Sequence, residues 1–413
     1  VVLVLTQVVG TIGVGIAPSI GVLLAGEVLE SEAWAGVARA ASTLGAAVFG
    51  LPLGDLAARR GRRFALATGW WVAAAGAGLL ILAAQWGLVA PLFVGLLLIG
   101  SGSATSLQSR FAATDLARPR HRARALATVV WVGTLGSVLG PNLGVPGALL
   151  GAVTGLSVFA AAFLIAAVCM AGAGVIIVLA LRPDPLLLAR AAESWADGAT
   201  AGAATAGRPA SRRPGRLAAL GAELRQNPSA RFAVLAILTG QIVMVAIMTM
   251  TPVHITHHGG TVSIVGVTIS LHVLGMFAFS PVVGMIVDAV GHRLPIGIGI
   301  GILLLSLIVG TAGPGSTGWI MVDLVLLGLG WSFVNVSASA LLSTVITGDR
   351  RASAQGGVDA LANLGGAFAG FVSGPLLAAT SFSVLSVLSM VVLVPLTVSM
   401  VAGRGSRTGS STL

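Results

Sequence analysis

The sequence predicts an all-α membrane protein: twelve transmembrane helices in two pseudo-symmetric six-helix bundles. Three observations predict it. Of 413 residues, 56% are hydrophobic and 9% are charged, with a mean hydropathy of +1.00. A soluble domain carries roughly a quarter charged residues, so too few charges exist here to cover a water-facing surface. The apolar residues come in continuous runs of the length that crosses a ~30 Å hydrocarbon core, about 20 residues. The basic residues, 23 arginines and no lysine, fall almost wholly on one side of an even number of crossings. Disorder is excluded, because it needs low hydrophobicity.

Residues 1–25 form the first run. The numbering begins inside it at Val1, so an initiator and a short leader are expected to precede it, and no signal peptide is visible. Further runs lie at 34–55, 64–85, 88–108, 126–147 and 154–181, and after a gap at 232–252, 262–286, 295–312, 317–345, 354–378 and 381–402. They are continuous rather than alternating, which argues against a barrel. Helices are what lipid then allows, because they satisfy their own backbone. The gap, 183–231, is rich in Ala, Gly, Pro and Arg and too polar to span. It reads as a cytoplasmic linker in which 186–196 and 215–226 can form short surface helices. The organisation is an N-terminal bundle over 1–182, the linker over 183–231, a C-terminal bundle over 232–402 and a cytoplasmic tail over 403–413.

Arg59, Arg60, Arg62 and Arg63 fall between spans 2 and 3; Arg110, Arg118, Arg120, Arg122 and Arg124 at the 4–5 connection; eight more between Arg182 and Arg231; then Arg293, Arg350, Arg351, Arg404 and Arg407. Arg39 alone lies on the other side, near Glu27, Glu30 and Glu32, towards which it can snorkel. The positive-inside rule puts both termini in the cytoplasm. An Ala/Gly/Arg-heavy composition suggests a bacterial chain, hence the bacterial cytoplasmic (inner) membrane. Orientation and anionic lipid headgroups account for the basic loops without nucleic acid.

Several chemistries are missing from the residues. Cys169, the single cysteine, allows neither an intrachain disulfide nor a CxxC site and reads as a small buried hydrophobe. A Walker lysine cannot exist without Lys. Neither Gly-x-Ser-x-Gly nor His-Glu-x-x-His occurs. His254, His257 and His258 cluster beyond the seventh run with no carboxylate or cysteine close in sequence, so no metal is assigned there. The expectation is a chain that is not an enzyme and carries no cofactor.

The two halves repeat. Gly54…Gly61-Arg62-Arg63 aligns with Gly284…Gly291-His292-Arg293 at an offset of 230, while Asp115 aligns with Asp349, and Gly136-x-x-x-Gly140-Pro141 with Gly370-x-x-x-Gly374-Pro375, at 234. Repeated halves are a hallmark of secondary transporters, with substrate bound near the midplane.

The 2–3 loop, Gly54-Asp-Leu-Ala-Ala-Arg59-Arg-Gly61-Arg62-Arg63, resembles the loop motif G-x-L-A-D-R-x-G-R-R of the major facilitator superfamily, with Ala58 where the family has Asp. Its counterpart, Gly284-Met-Ile-Val-Asp288-Ala-Val-Gly291-His292-Arg293, keeps the Asp. The twelve spans and the 6+6 division extend the resemblance over essentially the whole chain. Physically, Gly54 and Gly284 would let helices approach closely, and Gly61 and Gly291 would permit tight reversals. Asp288 would meet the positive N-terminal end of the span-5 helix. Asp115 and Asp349 are natural partners of the Arg59–Arg63 group and of Arg293. The resemblance implies that these contacts hold a cytoplasmic gate; solvated loop charges that only set topology are the other reading. Span 5, with Gly136, Gly140, Pro141 and Gly144, resembles the antiporter motif of the 12-span drug/proton antiporter branch. Its glycines line one face, and Pro141 removes a helix hydrogen bond and bends the chain. That branch often carries an arginine in span 4; the matching residue here is Leu96.

Ionisable groups at membrane depth are functional candidates. His272, Asp323 and Asp359 are the proton-coupling candidates, although a neutral hydrogen-bonded histidine, a carboxylate in an outer vestibule and a gate residue are competing roles. Gln7, Asn142, Gln241, Asn335 and Asn363 are candidates to line a substrate cavity, or else to bond neighbouring helices. The expected function is secondary transport by alternating access: proton-coupled efflux of small amphipathic or hydrophobic compounds, or else facilitated or symport movement of a neutral metabolite such as a sugar. A small-molecule substrate, protons and membrane lipids are the expected partners, and the fold usually works as a monomer.

Overall fold

A computed structural model describes residues 1–31, 33–115, 122–188, 191, 221, 224–346 and 350–405. Among these residues every regular element is helical. Twelve helices are long and apolar enough to span a membrane: α1 (Val2–Leu29), α2 (Trp34–Arg60), α3 (Arg62–Trp86), α4 (Val89–Arg110), α5 (Trp131–Thr154), α6 (Val158–Leu188), α7 (Pro228–His257), α8 (Val262–Val290), α9 (Arg293–Ala312), α10 (Thr317–Val345), α11 (Gly357–Ala379) and α12 (Phe382–Ala402).

Local chemistry sets their ends. Ser157 accepts the Ala160 N–H at 3.2 Å and starts α6. Asn227 accepts the Ser229 and Ala230 N–H groups and starts α7, with Pro228 behind it. Thr261 accepts the Ile264 N–H and starts α8. A side-chain oxygen at the first residue satisfies N–H groups that have no partner within the helix. Prolines mark the irregularities. A π-helical turn, Ala17–Gly21, surrounds Pro18 in α1, a 3-10 turn, Gly140–Leu143, surrounds Pro141 in α5, and α8 pauses after Phe277 ahead of Pro281. Pro375, the repeat counterpart of Pro141, sits in an uninterrupted helix.

The chain divides into two compact units: Val1–Ile16 with Leu44–Pro214, and Ala17–Thr43 with Gly215–Leu413. In the first, α3 packs on α4 and α6, and α1 on α5 and α6. In the second, α9 packs on α10 and α12, and α7 on α11 and α12. The same four pairings recur with a shift of six helices, so the repeat seen in the sequence is also a repeat of packing.

Small residues make these approaches. A Cβ at Gly76 in α3 would fall 2.7 Å from the Gly95 carbonyl oxygen of α4, and one at Gly95 would fall 2.8 Å from that of Gly76. Such contacts bring backbones together where lipid offers no hydrophobic drive between helices. Trp70 of α3, fully buried, fills the room left by Gly10 of α1. Leu149, Val153, Val168 and Leu179 are exposed on α5 and α6, an apolar surface suited to acyl chains.

Candidate functional site

The loop between α2 and α3 is a one-residue reversal. Gly61 has φ +90 and its counterpart Gly291 φ +80, a region that side chains rarely adopt. Arg62 opens α3, and its Nε lies 2.8 Å from Asp115 Oδ2, with Nη2 3.4 Å from Oδ1. The pair is partly buried, with side-chain exposures of 16% and 13%.

A second carboxylate completes this end of the first unit. Asp184 Oδ2 accepts the Arg63 backbone N–H at 2.8 Å, and Oδ1 accepts the Leu186 N–H at 3.0 Å. Asp184 therefore caps α3 and the turn that follows it in its own chain. A Cβ at Gly61 would fall 2.7 Å from its Cγ, so Gly61 is required for space as well as for φ. The sequence reading put Asp184 in the 183–231 linker, just ahead of a possible short helix at 186–196, and gave it no role. The available signal was Asp184-Pro185 ahead of three leucines, an N-cap followed by proline.

Several candidates sit differently from expectation. Among the described residues, the nearest atom to a Cβ at Gly54 is Gln108 Nε2 at 4.0 Å, and nothing lies within 4 Å at Gly284. Both fall on stretches that alternate with exposed positions rather than on a packed face. Arg59 and Asp288 are exposed; residues 116–121, which lead into the span-5 helix that Asp288 was expected to meet, lie outside the described residues. Arg39 forms no ion pair with Glu27 or Glu30, and Glu32 lies outside the described residues. Its stem lies against α11 instead, 3.3 Å from where a Cβ at Gly370 would be. Asp349 lies outside the described residues, so the expected pairing with Arg293 does too.

The span-5 glycines face α1. A Cβ at Gly136 would fall 2.8 Å from the Ile12 nitrogen and would also strike Thr11 and the Val8 carbonyl. One at Gly140 would fall 2.6 Å from the Gly15 Cα. Thr11 Oγ1 seals the seam, 3.0 Å from the Gly133 carbonyl oxygen. Gly144 starts the helix beyond the Pro141 turn.

The ionisable candidates divide by burial. His272 is fully buried in α8. Its Nδ1 lies 2.8 Å from the Leu324 carbonyl oxygen; a carbonyl only accepts, so Nδ1 carries the hydrogen. Nε2 is buried and has no partner among the described residues. Asp323, the residue before Leu324, is also fully buried, and so does not face an outer vestibule. Ser306 of α9 lies 2.5 Å from its Oδ1, while Oδ2 has no partner among the described residues. A Cβ at Gly310 would fall 2.6 Å from that oxygen and 3.2 Å from Ser386 Oγ, so glycine keeps space open beside it. Asp359 is exposed in α11.

Two cavity candidates are built alike. Gln7 of α1 donates to Ser106 of α4, and Gln241 of α7 accepts from Trp331 Nε1 of α10 at 3.1 Å. Each glutamine lies over a glycine of the helix four further on, Gly133 and Gly366. They are 234 residues apart, the offset of the span-5 motif. Phe277 meets Trp331 edge to face, with ring centroids 5.9 Å apart. Asn142 bonds back to the Val138 carbonyl at 2.9 Å, while Asn335 and Asn363 are half-buried. Ser106, Ser306 and Trp331 are partners that sequence reasoning missed.

Comparison with known proteins identifies this architecture. The family model described as Major Facilitator Superfamily matches residues 3–370 and 233–410. The MFS-type transporter YdeG of Bacillus subtilis (strain 168) is 37% identical over 406 residues, covering 97% of this chain and 90% of that one. YddS from the same organism is 37% identical over 390 residues, covering 94% and 86%. The riboflavin transporter RfnT of Brucella anthropi is 28% identical over 407 residues, covering 96% and 94%. Among solved structures, the nucleoside transporter NupG superposes with a TM-score of 0.72 at 16% identity, over 97% of each chain. That likeness concerns the fold. The chain belongs to the major facilitator superfamily, and it is a multi-pass membrane transporter rather than an enzyme.

Proposed function

We propose that this transporter couples proton entry to the export of small amphipathic or hydrophobic compounds, with the arginine-rich segments and both termini in the cytoplasm. The observation that carries the coupling is Asp323. An ionised carboxylate at membrane depth is costly unless paired. Among the described residues this one has a single side-chain partner, Ser306, and a buried oxygen with none. A group so placed alternates between a protonated, neutral form that tolerates occlusion and an ionised form that needs water. His272, with its unpartnered Nε2, is a second proton acceptor. Protonation from outside favours the occluded state, the halves exchange access, protons leave inward, and substrate leaves outward. The span-5 motif and the scarcity of charged side chains in the spans support a lipophilic substrate.

A second reading is transport of a neutral polar metabolite. The relative named as a riboflavin transporter favours it, as do the glutamines Gln7 and Gln241, whose amides suit hydrogen-bonding solutes.

The test is movement of lipophilic dyes, sugars and riboflavin in proteoliposomes with and without a pH gradient. Dye flux that collapses with the gradient supports the exporter. Sugar or riboflavin flux that equilibrates without a gradient overturns it for the second reading. His272→Gln, Asp323→Asn and Asp359→Asn, made singly, test the coupling. If all three keep gradient-driven transport, none of them carries the proton.

A further inference from the structure

A cleft of about 310 Å³ opens in the second unit where the starts of α7 and α9 meet the end of α12. All three termini lie on the arginine-rich side. Arg231 and Arg293 line it, with the Ser229 and Ser399 hydroxyls and an apolar wall of Phe232 and Leu235. The Arg293 guanidinium carbon sits 5.5 Å from the centre of the Phe232 ring, which fixes a cation at the edge of apolar surface. Arg231 is exposed and forms no ion pair among the described residues.

The repeat says what belongs there. Arg63 and Arg293 are counterparts, 230 residues apart, each following a glycine of positive φ and a basic residue. In the first unit, the last stretch of α6 returns a carboxylate, Asp184, to the start of α3. In the second unit, α9 starts without a side-chain cap from His292. The first unit brings its own anion to this position, and around the equivalent position of the second stand Arg231 and Arg293. A helix start flanked by two arginines is suited to an oxyanion.

The position selects the kind of anion. The wall is apolar, and next to the lining residues the same helices expose Leu294 on α9 and Val398 and Val401 on α12. A ligand with a phosphate at the cleft and hydrocarbon along these helices satisfies both surfaces. We propose that the cleft binds the headgroup of an anionic phospholipid from the arginine-rich leaflet. Its phosphate lies against Arg231 and Arg293, and its acyl chains run along α9 and α12. Basic pockets between helices on the cytoplasmic side are suited to such headgroups.

Native mass spectrometry of the full chain in detergent, titrated with phosphatidylglycerol or phosphatidylcholine, tests this. The wild type is expected to retain one phosphatidylglycerol in preference to phosphatidylcholine. Arg231→Gln is expected to weaken that binding about fivefold, the value of one arginine near a membrane surface, and Ser399→Ala to weaken it less. Arg225→Gln, which removes an exposed arginine outside the cleft, is expected to leave it unchanged. Equal retention of the two lipids by the wild type overturns the proposal, as does phosphatidylglycerol binding that neither cleft variant weakens. Inorganic phosphate that displaces the lipid at matched concentration makes this a soluble-phosphate site and overturns the lipid assignment.

Discussion

Asp184 and Arg63 are joined across 121 residues of sequence: the Asp184 carboxylate accepts the Arg63 backbone N–H at 2.8 Å. The bond ties the exit of the first bundle to the loop that carries the superfamily motif. It also puts a negative charge at the start of α3, where the exposed N–H groups favour one. Where the loop motif has Ala58 in place of its Asp, a carboxylate from elsewhere in the same unit stands at the adjoining helix start.

Asp184→Ala should therefore destabilise the first unit. Loss of a capping side chain costs about 1 kcal/mol, and this one caps two segments. The expected result is a lower melting temperature in detergent, with Asp184→Asn intermediate, because an amide oxygen still accepts but carries no charge. Substitution of the exposed Asp55 should leave the melt unchanged. If the Asp184 and Asp55 variants melt alike, the bond contributes nothing to stability.

The Arg62–Asp115 pair invites a double-mutant cycle. It is only partly buried, so its coupling should lie near the upper end for exposed pairs, about 1 kcal/mol. Arg62→Gln and Asp115→Asn should each lower the melting temperature, and the double variant should lose less than the sum. A charge swap that recovers the loss would assign the effect to the pair. Additive losses would make the two residues independent.

The span-5 motif can be tested against its own repeat. Gly136 and Gly370 are counterparts in sequence, but their surroundings differ. A Cβ at Gly136 meets backbone atoms of α1, including the Ile12 nitrogen at 2.8 Å. Backbone cannot give way locally, so α1 and α5 must part. At Gly370 the nearest atoms are side-chain carbons of Arg39 and Val245, at 3.3 Å and beyond. Gly136→Ala should thus cost about 1–3 kcal/mol, the usual range for overpacking, and transport should fall sharply. Gly370→Ala should be mild, and Gly172→Ala, with nothing within 4 Å, should be silent. Equal effects at Gly136 and Gly370 would mean that the motif records repeat symmetry rather than a required contact.

Much of the fold was legible because hydropathy and glycine spacing are local properties of the chain. Burial alternates identically, position by position, over 52–60 and 282–290, as the repeat of the loop motif implies. The Pro141 turn followed from proline geometry. Its counterpart Pro375 leaves α11 continuous, a difference that no local rule separates. What escaped were relationships set by tertiary contact. Nothing near Asp184 in sequence names Arg63, and nothing near Asp323 names Ser306. The membership of residues 17–43 in the second unit is also a property of packing alone. Asp323 could be singled out for its charge, but its complete burial could not be read from its neighbours.

The two glutamines offer a test of how far the halves share function. Gln241 accepts from Trp331 Nε1, and Trp331 is 9% exposed. Gln241→Leu strands that indole N–H, and an unsatisfied buried donor costs about 1–3 kcal/mol. Gln241→Glu keeps an acceptor and should preserve the bond. Gln7 stands otherwise. It is the donor, to a serine, and its own Oε1 is buried with no partner among the described residues. Gln7→Leu removes that unmet acceptor along with the bond, and Ser106 can turn its hydroxyl to a carbonyl of its own helix. Gln7→Leu should therefore cost less stability than Gln241→Leu. If Gln7 Oε1 serves a hydrogen-bonding substrate, Gln7→Leu should raise KM for that solute while leaving the melting temperature nearly unchanged. A Gln7→Leu variant that melts as low as Gln241→Leu with an unaltered KM would instead make both glutamines structural.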